Sequence, residues 1–140
     1  MSRFNDKSFV LPISDESVLD EHILSELVDM VGSASMSKML QVFLTELRDR
    51  LEILNNMVFS TESLNPTEHS NINFNGIALQ AHTLKSCAGS FGASVLFEAV
   101  KQLEKVAIEQ NVGLVSAQLA KVNELGLMTI NQLTQRFMNK

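Results

Sequence analysis

Between Ala81 and Ala93 the chain reads A-H-T-L-K-S-C-A-G-S-F-G-A, and its one chemically versatile side chain is His82. On a helix, where side chains advance by about 100° per residue, His82, Lys85, Ser86 and Gly89 fall at i, i+3, i+4 and i+7 and share one stripe. Ile77, Ala81, Leu84, Ala88 and Phe91 make a second, apolar stripe within about 80°. The imidazole is therefore expected at the rim of a core, within reach of solvent, with a lysine one turn along. A neutral imidazole offers a nitrogen lone pair at physiological pH. Phosphoryl transfer asks mainly for positioning and charge neutralisation, and Lys85 is close enough to pair with a phosphoryl group on His82. Ser86 and Gly89 keep the same face small. A mid-helix glycine costs roughly 1 kcal/mol against alanine, and two readings of Gly89 stay open: close approach of another protein, or the start of a helix end that Gly92 completes.

Other chemistries fit poorly. The histidines at 22, 69 and 82 show no H-x-x-x-H spacing, and Cys87 has no C-x-x-C partner, so no metal site is expected. The six glycines form neither G-x-G-x-x-G nor G-x-x-x-x-G-K, and a nucleotide's phosphates would find no cradle. Ser86 lies along the same helix as His82 without an attack geometry, which argues against a nucleophilic hydrolase. Cys87 reads as a small buried hydrophobe, with an oxidation-sensing role as the weaker alternative. Spacing alone favours a structural hydrogen-bonder over a nucleophile at a rim position such as that of His82.

The elements that must hold this stretch are helical. With 140 residues, 45% of them hydrophobic, one core and one domain suffice. The net charge of −5 and scattered basic residues give no footprint for nucleic acid. No apolar run is long enough to span a bilayer, and no signal-peptide pattern opens the chain, so a soluble, cytoplasmic protein is expected. Residues 1–13 carry Phe4, Phe9, Val10, Leu11 and Ile13 without helical spacing and read as an extended arm, followed by one domain over 14–140. Ser14 is a candidate cap for a first helix with Asp15 and Glu16 in its opening turn, Leu19, Ile23, Leu27 and Met30 on its apolar face, and Gly32 at its end. A second helix follows Ser33–Ser35, with Met36, Met39, Leu40, Phe43, Leu44, Leu47, Leu51, Leu54 and Val58 in register. Met30, Met36 and Met39 read as core filler.

Residues 60–76 lack either period and read as a surface loop. The helix bearing His82 is expected to stop at Gly92, with Ser94 capping a helix that carries Leu96, Ala99, Val100, Leu103 and Ala107 inward and Phe97, Lys101, Glu104 and Ile108 along its flank. Asn111 and Gly113 punctuate before a last helix with Val115, Leu119, Val122, Gly126, Ile130, Leu133 and Phe137 on one face. The expected fold is all-α: an antiparallel, up-down-up-down four-helix bundle with an additional N-terminal helix across one end.

The run from His82 to Ala93 resembles the signature of histidine-containing phosphotransfer (HPt) domains: a histidine followed by x-L-K, small residues, and a Gly-Ala pair, here His82, Leu84, Lys85, Gly92 and Ala93. Met39 to Leu54 is similar to that family's L-x-x-F-x-x-x-x-x-x-x-L-x-x-L helix, and Leu96 to Ala107 to its L-x-x-x-x-x-x-L-E-x-x-A helix. The resemblance spans roughly residues 15–137. Ser86 stands where the family usually has glycine, and the loop at 60–76 is longer than usual.

What the resemblance implies is a phosphorelay intermediate rather than an enzyme. His82 would accept a phosphoryl group from an aspartate in the receiver domain of a hybrid sensor histidine kinase and pass it to the receiver domain of a response regulator. Glu104 occupies the position from which family members hold the imidazole; a carboxylate on Nδ1–H would leave Nε2 as the nucleophile. Lys85 would neutralise the moving charge. No cofactor is expected on this chain, the Mg²⁺ belonging to the partner receiver domain. Ala78, Leu79, Ser86, Gly89 and Ser90, with Phe97 from the next helix, form the expected docking patch. The competing reading is a helical adaptor that binds receiver or kinase domains without carrying phosphate.

Overall fold

The computed structural model describes residues 17–59 and 72–138. Among them are five helices and no strand: α1 (Glu21–Val31), α2 (Ser33–Phe59), α3 (Phe74–Ser90), α4 (Ser94–Ile108) and α5 (Val112–Phe137). Helices α2 to α5 close a four-membered ring, α2 and α4 each packing on both α3 and α5. The periodic positions of the sequence fill its centre: Leu40, Leu47 and Leu54 of α2, Ile77 and Leu84 of α3, Leu96 and Leu103 of α4, and Leu119 and Leu133 of α5 are fully buried. Among the described residues no helix is long and apolar enough to cross a membrane.

Polar groups tie the ring at chosen points. Asn55 and Asn123 exchange two side-chain hydrogen bonds of 2.9 Å between α2 and α5, so the amides satisfy each other inside the packed layer. Gln118 donates to the Ala99 carbonyl at 2.9 Å, fastening α5 to α4. Arg50 reaches from α2 to Gln80 on α3 at 2.5 Å. The Phe43 and Phe91 rings stack with centroids 4.8 Å apart, closing α2 against the end of α3.

The N-terminal helix lies across one end of the bundle. Its start is moored by Val18 N–H donating to the Gln132 side chain at 3.0 Å and Asp20 N–H donating to Gly92 O at 2.6 Å. Arg136 near the end of α5 grips both carboxylate oxygens of Glu21. The expected Ser14 cap is corrected here. Asp20 caps α1, its carboxylate accepting from His22 N–H at 3.0 Å and Ile23 N–H at 3.2 Å. Leu19 is buried ahead of the helix, while Ser14, Asp15, Glu16 and the arm at 1–13 lie outside the described residues. Met30 is 76% exposed and is not core filler, whereas Met36 is fully buried.

Two further boundaries differ from expectation. Ser94 is the first residue of α4 and not its cap; the cap position falls to Ala93, which has no side-chain acceptor. Helix α3 begins at Phe74, capped by Asn73 accepting from Gly76 N–H at 2.8 Å, so the last residues of the span read as loop are its first turn. Residues 60–71 of that span lie outside the described residues.

The α4–α5 turn carries a strained position. Gln110 has φ +60°, its N–H bonding to Ala107 O at 2.9 Å and Asn111 N–H to Val106 O at 3.1 Å, the two bonds of a Schellman turn whose left-handed residue is usually glycine. Asn111 is the cap of α5 and Gly113 lies within that helix. A left-handed L-residue costs roughly 1–2 kcal/mol, and glycine's extra freedom when unfolded returns part of that. Gln110→Gly is therefore expected to gain about 0.5–1 kcal/mol, read as a raised urea midpoint with an unchanged slope.

Candidate functional site

The turn between α3 and α4 decides what faces what. Gly92 has φ +74°, a conformation that costs glycine nothing, and the turn closes through Gly92 N–H to Gly89 O at 3.4 Å and Ala93 N–H to Ala88 O at 2.9 Å. The two helices then run back along each other as an antiparallel hairpin centred on Ala93. His82 and Glu104 stand equally far from Ala93 on either side, and so do Gly89 and Phe97. Both pairs touch.

Glu104 meets two groups of α3 with one carboxylate. Its Oε2 lies 3.1 Å from Nδ1 of His82, and its Oε1 accepts from Nζ of Lys85 at 2.8 Å. With the carboxylate at Nδ1, that nitrogen carries the proton and Nε2 is left with the lone pair. The imidazole side chain is 59% exposed, against 23% for Lys85 and 18% for Glu104. Among the described residues Nε2 makes no hydrogen bond. The arrangement therefore offers one nucleophilic ring nitrogen to a visitor, with its tautomer fixed from behind.

The same carboxylate is electrostatically committed. The hydrogen bond from Lys85 is the largest influence holding the Glu104 carboxyl below the usual carboxylate range; burial works against it, and His82 adds to the lowering. A carboxyl depressed in the folded state contributes stability that is present above its unfolded value, near 4.5, and is lost as the pH falls through the folded value. Glu104→Gln is thus expected to be less stable at pH 7 by about 1–2 kcal/mol. The gap should narrow below about pH 4.5, which urea melts at pH 7 and at acid pH would show.

The remaining residues of the expected patch surround this centre. Leu79 is 64% exposed, Ala78 is half-buried, and Ser86 and Ser90 are exposed. The two serine hydroxyls donate to carbonyls one turn back, Ser86 to His82 O at 3.3 Å and Ser90 to Ser86 O at 3.1 Å, which lays both against the helix. Gly89 answers to a third account. A Cβ there would stand 3.2 Å from Cδ1 of Phe97, so the missing side chain seats the aromatic ring of α4, while its carbonyl also serves the turn.

Sequence reasoning missed the direct bond between Lys85 and Glu104, having assigned that lysine to the phosphoryl group alone. Counting both helices outward from Ala93 brings Glu104 level with His82 and Lys101 level with Lys85, so the count by itself does not give this bond; it is made because Lys85 lies one turn from His82 and its long side chain reaches back to the same carboxylate. Cys87 is half-buried, lining an apolar hollow of about 250 Å³ with Met39, Val42, Phe43, Glu46 and Phe91. His22 pairs with Glu26 at 3.2 Å on the surface of α1, and His69 lies outside the described residues. Among the described residues no three His, Cys, Asp or Glu side chains cluster to hold a metal.

Among the described residues, the bundle holds one histidine, His82, with its Nδ1 against a carboxylate of the neighbouring helix and its ring open to solvent beside a lysine that shares that carboxylate. The chain is a member of the Hpt domain family, whose model matches residues 38–139, most of its length. Hpt domains are phosphotransfer shuttles in phosphorelays, not catalytic enzymes, and their counterparts are the receiver domains of two-component systems. No curated protein and no solved structure matches the chain.

Proposed function

We propose that this chain is a stand-alone phosphorelay intermediate, with His82 as the phosphoryl-carrying residue, Glu104 as the group that orients its ring and Lys85 as the charge that accompanies the phosphate. The lone pair of Nε2 attacks the phosphorus of a receiver's aspartyl phosphate. The N–P bond forms as the acyl P–O bond breaks, and the leaving electrons return to the partner's aspartate as a carboxylate. Nδ1 keeps its proton, and the positive charge that develops on the ring is met by Glu104. The next receiver's aspartate reverses the step. The donor in this proposal is the receiver domain of a hybrid sensor histidine kinase, the acceptor that of a response regulator, and the Mg²⁺ that assists belongs to the receiver. A cytoplasmic location is part of the same proposal.

The observation that carries the reading is the 3.1 Å contact between Nδ1 and Glu104 behind a ring that is 59% exposed. Lys85 gives one of its three N–H bonds to Glu104 and keeps two for a phosphoryl oxygen. Ala78, Leu79, Ser86, Gly89, Ser90 and Phe97 frame the ring as the surface on which a receiver settles, and one surface serves both partners in turn. The test is incubation with phosphorylated receiver domains. Label should move to this chain in an acid-labile, base-stable form; a protein that binds receivers yet acquires no such phosphate would be the passive adaptor instead.

A further inference from the structure

The flank of α4 carries a feature that the phosphoryl chemistry does not use. Phe97, Lys101, Glu104 and Ile108 follow one another at i, i+4, i+7 and i+11, a nearly straight line along the helix. Glu104 is occupied by His82 and Lys85. One turn beyond it Ile108 is 66% exposed, and Lys101, Lys105 and Glu109 join Glu104 and Ile108 around a shallow groove of about 280 Å³. The stems of two lysines and an isoleucine make such a groove apolar at its base and charged at its lip.

The local charge runs against that of the whole chain. Lys85 neutralises Glu104, which leaves two ammonium groups, Lys101 and Lys105, against the single carboxylate of Glu109, on a protein of net charge −5. The group that must reach the neighbouring imidazole is an acyl phosphate carrying up to about two negative charges. Acidic protein and anionic visitor repel at long range, so a cationic lip beside the reacting nitrogen is where encounter would be favoured.

We propose that this groove is a docking subsite for the acidic face of a receiver domain: Ile108 takes an apolar side chain of the partner, and Lys101 and Lys105 steer and then pair with carboxylates around its phosphoaspartate. The inference rests on the relay reading above and adds a second apolar anchor to it. Phe97 and Ile108 lie eleven residues apart, about 16 Å along the helix, and bracket the level at which Glu104 holds His82.

The experiment measures transfer from a phosphorylated receiver that labels the unmodified full chain, at low ionic strength and in about 0.5 M salt, where screening is nearly complete. Lys101→Glu with Lys105→Glu is expected to slow transfer roughly tenfold at low salt, the difference closing at high salt. Lys38→Glu with Lys121→Glu makes the same change in net charge at exposed positions of α2 and α5 and should stay within about twofold of the unmodified rate. Ile108→Ser should raise several-fold the receiver concentration needed for half-maximal rate while leaving the saturating rate unchanged. Equal slowing by the two double variants, or no slowing by the first, overturns the subsite and leaves the relay standing. Failure of every receiver to place acid-labile phosphate on the unmodified chain overturns both.

Discussion

His82→Gln is expected to abolish phosphoryl uptake while leaving the bundle folded. The nucleophile in this site is one ring nitrogen, and a carboxamide has no lone pair of comparable basicity to put in its place. Loss of a nucleophile of this kind costs on the order of 10³-fold or more. The structural cost is small by comparison. The ring stands outside the apolar stripe of α3, 59% exposed, and its contact with Glu104 is backed by the independent bond from Lys85. A glutamine amide can still donate toward that carboxylate, so the stability change should stay under about 1 kcal/mol. Transfer from a labelled receiver, read beside a urea melt, checks both halves. Phosphate arriving on the His82→Gln chain would remove His82 from the relay, and a variant that failed to fold would show that the imidazole is structural.

How much of this was legible beforehand divides along physical lines. Burial follows periodicity, and the stripe from Met36 to Val58 could be read because each of those side chains has one face to hide on. The pairing of His82 with Glu104 came from family resemblance and from the flank position of both residues. Its geometry became explicit only when the turn fixed the register. Termini were read less well. Ser14 and Asp20 are both good caps, and nothing in local composition says that Asp20 N–H will be claimed by Gly92 O and so hold the chain extended ahead of α1. Met30 satisfies the spacing of a core residue on a helix that lies across a bundle end, where less of its circumference is covered. Gly89 was ambiguous because its reason for being small sits on another helix, in the ring of Phe97.

The turn at Gly92 and Ala93 governs the pairing of His82 as well. A glycine that can take φ +74° sets where α3 turns back, and the turn sets which residue of α4 comes level with the imidazole. Spacing along one chain is thereby converted into pairing across two helices, and a change at Gly92 should be felt both in stability and at His82. Gly92→Val tests this. A β-branched residue in the left-handed region costs upwards of about 1–2 kcal/mol. Its Cβ would stand 3.1 Å from the Asp20 carbonyl oxygen and 3.4 Å from Cβ of Ile23 and Cγ of Leu24, so the segment that moors α1 must also move. The expected loss is about 3 kcal/mol, a large share of the roughly 5–15 kcal/mol that holds a domain together. Gly92→Asn should fall between, since asparagine tolerates the left-handed conformation but keeps the crowded Cβ. Transfer measured where both variants remain folded should be slower in the order Val, Asn, Gly, because the carboxylate that orients the ring is placed by this turn. A valine variant as stable and as fast as the unmodified chain would mean that the register of the hairpin is set by helix packing alone.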